Sequence, residues 1–78
     1  MIGVNWNPFP DRATVEKIRA EYTPGTKVEL LYMKDKQAPP MGTTGVVRAV
    51  DDAGSILVDW SDGSSLSAIP SVDRVRKI

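Results

Sequence analysis

Few side chains in this sequence are able to do chemistry. Asp51 and Asp52 are the one adjacent carboxylate pair, the arrangement that shares a proton in general acid–base work. They stand between two apolar runs, where turn geometry alone favours Asp. Ser61, Ser64 and Ser65 offer hydroxyls, but the chain has no His and no Cys, so no imidazole is present to activate them and no thiolate is available as nucleophile or metal ligand. Asp59 and Asp62 suit a hard cation, yet the Asp-x-Asp-x-Asp-Gly spacing of a calcium loop is missing. No catalytic residue, metal site or cofactor is assigned, and the expectation is a protein that is not an enzyme.

Binding is better supplied. Tyr32, Trp60, Pro39 and Pro40 are expected to line an aromatic groove, with Lys34 and Gln37 on the same long loop. Asp62, Ser64 and Ser65 add a carboxylate, hydroxyls and backbone donors on the adjacent turn. A flat apolar wall with polar donors suits a nucleobase with its ribose and phosphate as well as it suits a peptide.

The elements that must position these residues follow from periodicity. Met1–Pro10 carries Trp6 and Phe9 among prolines and reads as an aromatic, Pro-rich arm that packs on its own domain or on a neighbour. Residues 11–78 read as a single domain. Within it, Asp11 looks like an N-cap and residues 11–23 a helix, with Val15, Ile18 and Tyr22 on one narrow apolar stripe. Thr23-Pro24-Gly25 ends it.

A barrel is expected over residues 26–78. Thr26–Met33 reads as the first strand, with Val28, Leu30 and Tyr32 on one face and Lys27, Glu29 and Leu31 on the other. Residues 43–70 read as a three-stranded meander with turns at Asp51–Gly54 and Ser61–Gly63. Alternation puts Ile56, Val58 and Trp60 inward and Leu57 and Asp59 outward. A tight turn at Ser71–Asp73 then precedes a short fifth strand, Arg74–Ile78. The predicted fold is mainly β with one N-terminal helix (α+β), a small five-stranded antiparallel barrel of the SH3-like kind.

The whole chain of 78 residues is too short for a large core, so its stability is marginal. Without Cys or His, oligomerisation is the remaining ordinary supplement. Leu31, Val46 and Leu57 on the outer face, with Trp6 and Phe9 of the arm, are the candidate contacts for a homodimer or larger homo-oligomer. Ten basic and ten acidic side chains cancel. That balance disfavours nucleic acid as a partner, because such affinity comes mainly from phosphate neutralisation. No apolar run approaches a membrane span, and the chain reads as soluble and cytoplasmic.

Several separated motifs occur in one order: Asn7-Pro8-Phe9-Pro10, Pro24-Gly25-Thr26-Lys27-Val28-Glu29-Leu30, Gln37-Ala38-Pro39-Pro40, Asp51-Asp52-Ala53-Gly54-Ser55-Ile56 and Trp60-Ser61-Asp62-Gly63-Ser64-Ser65. Together they resemble an uncharacterised family of small domains carried by phages and mobile elements, of the domain-of-unknown-function 4314 type. The resemblance implies a genomic setting without a settled activity. By analogy with other compact phage proteins, it implies a homo-oligomer that sequesters a nucleotide-type immune signal, in the cytoplasm of a host cell. The phosphates of such a ligand would need Arg12, Lys34, Arg48 or Arg74. The alternatives are a protein-interaction module that takes a Pro-rich or extended host segment, and a nucleic-acid accessory protein.

Overall fold

The computed structural model describes residues 11–78, so the expected contacts of Trp6 and Phe9 lie outside the described residues. Helix α1 (Arg12–Glu21) begins where the Asp11 carboxylate accepts the Thr14 amide at 2.8 Å, and ends as the Tyr22 amide bonds the Ile18 carbonyl. Val15 is buried, and Ile18 and Tyr22 are half-buried, so the predicted stripe is the face that the helix turns inward. Gly25 takes the left-handed φ of 92° that lets the chain reverse after the helix, and its amide bonds the Val47 carbonyl.

Arg19, one turn after Val15, also fastens the helix to the sheet. Its guanidinium donates to the carbonyls of Val50 and Asp51 at 3.1 and 3.3 Å, and it meets the carboxylate of Glu16 at 2.8 Å. The turn it grips is itself ordered by Asp51, whose carboxylate accepts the amides of Ala53 and Ser55. Asp51 and Asp52 therefore serve a turn and an ion pair with Arg19.

Four antiparallel strands follow: β1 (Lys27–Tyr32), β2 (Thr44–Val50), β3 (Ile56–Trp60) and β4 (Arg74–Lys77), in the order β3-β2-β1-β4. The sheet is open, and the fold of the described residues is mainly β with one helix. Its inner face carries Val28, Leu30, Val47, Val50, Ile56, Val58 and Trp60, covered by Ile18, Tyr22, Ala38, Leu66 and Ala68. Alternation accounts for Ile56, Val58 and Trp60 without adjustment.

Two bulges correct the simple alternation elsewhere. Between β1 and β4 the register steps from Leu30↔Val75 to Tyr32↔Arg74, leaving Leu31 as the extra residue. The parity then reverses: Met33 turns into the core, and Tyr32, expected beside Val28 and Leu30, stands half exposed. Between β2 and β3 the step from Val47↔Val58 to Ala49↔Leu57 bulges Arg48, which is how Val47 and Val50 both point inward.

The segment expected as the fourth of five strands is the larger correction. Residues 64–70 touch β3 through one bridge, in which Ile56 and Ala68 exchange amides at 2.8 and 2.9 Å, and through the Trp60 amide on the Ser64 carbonyl. Between those points no backbone bond joins Val58 to Leu66. The Leu66 carbonyl instead accepts the indole Nε1–H of Trp60 at 2.9 Å, and the Leu66 amide turns to the Ser64 hydroxyl. A side chain thus takes the acceptor a ladder would use, and the segment is tied to the edge of the ring, with Leu66 packed on the core.

Gly45 makes room for that ring. A Cβ there would stand 2.5 Å from Val58 Cγ1 and 2.8 Å from Trp60 Cε3, so β2 passes beneath the indole only without a side chain. Trp60→Ala is expected to cost about 3–5 kcal/mol from the lost ring and cavity, and Trp60→Phe about 1–3 kcal/mol from the lost indole bond. Urea denaturation of both variants checks this, the expected order being wild type, Phe, Ala.

The cap gives a pH prediction. The Thr14 amide and then the Thr14 hydroxyl, with Lys17 assisting against desolvation, hold the Asp11 carboxyl below its ordinary value of 3.8. A folded-state pKa below the unfolded one contributes stability that is fully present above the ordinary value and lost as the pH falls through the folded one. Asp11→Asn keeps an acceptor without titrating, so its melting temperature is expected to fall less steeply than wild type between about pH 5 and about pH 2.

Candidate functional site

The long loop after β1 does not leave a groove open. Ala38 packs on the core, Pro39 is buried, and Pro40 is exposed, with its carbonyl held by the Thr43 amide and hydroxyl. The exposed Gln37 donates its amide to the Asp35 carboxylate at 2.8 Å, a local turn. Trp60, at 3% exposure, offers no face to a ligand. Nor does it adjoin Tyr32: Trp60 lies opposite Gly45, which lies opposite Val28, so Tyr32 is about 13 Å further along and two strand spacings, roughly 10 Å, across. The aromatic groove expected from Tyr32, Trp60, Pro39 and Pro40 is therefore not assembled.

The polar turn after β3 is occupied with its own geometry. Asp62 accepts the Ser64 amide at 2.9 Å, Ser64 accepts the Leu66 amide, and Ser65 is exposed. The four expected cations are likewise dispersed. Arg12 sits on the first turn of α1, and Arg48 pairs with Asp59 at 3.6 Å on the outer face. Lys34 and Arg74 lie toward the same end of the sheet, where Tyr32 pairs with Arg74, but Arg74 lines a separate cleft of about 180 Å³ with Ile18, Tyr22 and Val75.

That end carries a cleft of about 240 Å³ lined by Lys34, Asp35, Ser67, Ile69, Val72 and Asp73. Ile69 and Val72 are exposed there at 45% and 39%. Arg74 adjoins it with one guanidinium nitrogen on the carbonyls of Pro70 and Asp73, at 3.0 and 2.8 Å. The cleft thus offers apolar contact area, the Lys34 ammonium and the exposed carboxylate of Asp35, which also accepts the Gln37 amide.

The residue that builds the cleft is Asp73, which sequence reasoning placed only in a tight turn. It is 6% exposed, and its two carboxylate oxygens accept the Lys34 amide at 2.9 Å and the Ile69 amide at 2.8 Å. Ile69 and Val72 were missed with it, because the turn after Pro70 gives no periodic signal. The available clue was an Asp, alone among basic residues, closing a four-residue turn.

The expected oligomer contacts of the described residues lie in three strands, Leu31 in β1, Val46 in β2 and Leu57 in β3. Val46 and Leu31 are exposed at 42% and 43%, and Leu57 is half-buried. Val46 shares the outer face with the Arg48–Asp59 and Glu29–Arg76 ion pairs. With Ile78 it borders a shallow depression of about 290 Å³. Among the described residues no group of three or more carboxylates could hold a metal ion, and no helix is long and apolar enough to cross a membrane.

The fold and cleft define a small, mainly β domain with one helix and a recess of mixed apolar and charged lining at one end of its sheet. The chain belongs to the family described as a domain of unknown function (DUF4314), whose model matches residues 11–78. No curated protein and no solved structure matches it.

Proposed function

We propose that this protein acts by binding, as a homo-oligomer that sequesters a nucleotide-type immune signal on behalf of a phage or mobile element. The observation that carries the reading is the cleft that Ile69, Val72 and Lys34 line, at the end of the sheet where Tyr32 pairs with Arg74. Exposed apolar and aromatic surface takes a base, and a cation meets a phosphate. The setting comes from the family resemblance and the mode of action from analogy. The same reading takes the sheet, with Ala68 returning to Ile56, as an SH3-like barrel left open along β3.

A second reading is favoured by the exposure of Ile69 and Val72, which suits an extended segment of a host protein with an acidic residue for Lys34. The zero net charge counts against a nucleic-acid accessory role.

A thermal-shift panel of ADP-ribose and cyclic dinucleotides tests the first reading. At a hundredfold excess over Kd, a ligand is expected to add about 2.7 kcal/mol, and each kcal/mol moves the melting temperature of a domain this size by roughly 4–8 °C. Lys34→Ala, which keeps the backbone amide that Asp73 holds, is expected to abolish most of the shift. A panel without any shift overturns the nucleotide reading, and light scattering that gives only the monomer mass overturns the homo-oligomer.

A further inference from the structure

We propose that Asp73 is the positioning residue of the cleft, fixing the gap between its two walls, an inference that rests on the binding role given to that cleft. One wall begins at Lys34, where the chain leaves β1, and the other is Ile69–Val72, which precedes β4. These segments are more than thirty residues apart in sequence, and the Asp73 carboxylate receives one amide from each. Its own loop holds only the second wall, through the Val72 and Asp73 amides on the Ile69 carbonyl at 2.9 and 2.7 Å. The β1–β4 ladder ends at Tyr32↔Arg74, and the bond from the Lys34 amide is the tie that continues across the recess beyond it.

The same bonds make a carboxylate tolerable beside a site for anions. Both oxygens are turned to backbone donors, so the charge is spent on N–H groups and the outward-facing groups of the recess are the Lys34 side chain, Asp35, Ile69 and Val72. Asp73 contributes no apolar surface to the core cluster. Its removal is thus expected to loosen the walls and leave the sheet intact.

Amide hydrogen exchange separates this from a general stabilising role. In the unmodified protein, the Lys34 and Ile69 amides are expected to exchange through one shared opening, faster than the Val47 amide of the core. Asp73→Asn, with one acceptor in place of two, is expected to accelerate both by at least about tenfold while Val47 stays within about twofold. Acceleration at all three alike, or at neither wall, overturns the proposal. If the variant fails to fold, unequal opening at the two amides of the unmodified protein overturns it instead.

Titration with ADP-ribose supplies the functional readout. Asp73→Asn is expected to weaken binding about tenfold, whereas Arg48→Ala on the outer face leaves it unchanged. Unaltered binding by Asp73→Asn overturns the positioning role. Absence of binding by the unmodified protein overturns the reading of the cleft, and the exchange experiment still decides whether Asp73 sets its walls.

Discussion

The architecture depends on where one indole N–H finds its acceptor. A buried Trp must satisfy its single donor, and Trp60 does so with the Leu66 carbonyl, six residues on. With that carbonyl turned to the indole, residues 64–70 do not run as a full strand along β3. They are tied to the edge of the ring at Leu66 and return to β3 at Ala68, which sets Leu66 and Ala68 against the core and leaves the sheet four-stranded. The absence of a side chain at Gly45 completes the arrangement from below.

Much of this was legible from residue types. The inward set Ile56, Val58 and Trp60, the cap at Asp11 and the turn at Asp51–Gly54 all follow from period-two alternation or from side-chain oxygens that seek backbone amides. Tyr32 and the fourth expected strand were not legible, for one shared reason. Each turns on a single long-range choice: a bulge opposite β4 in one case, and a side-chain donor outcompeting a backbone donor in the other. Periodicity has no access to either.

The candidate site shows the same division. Its cation Lys34 stands out by type, as do Tyr32 and Arg74 at the same end of the sheet, yet their neighbourhood is created by β1 pairing with the last strand of the chain. Trp60, Pro39 and Gln37 also stand out by type, and folding commits the first two to the interior and the third to a turn. Asp73 shows the converse case: an unremarked carboxylate becomes the junction of two distant segments because it is buried and both its oxygens are satisfied.

β4 is a sheet edge made of Arg74, Val75, Arg76 and Lys77, four residues of which three carry positive charge. Like charges facing one another across a would-be continuous ribbon repel, so this border discourages end-to-end stacking into filaments. A domain with little core to spare is thereby guarded along this border against pairing strand to strand with another copy.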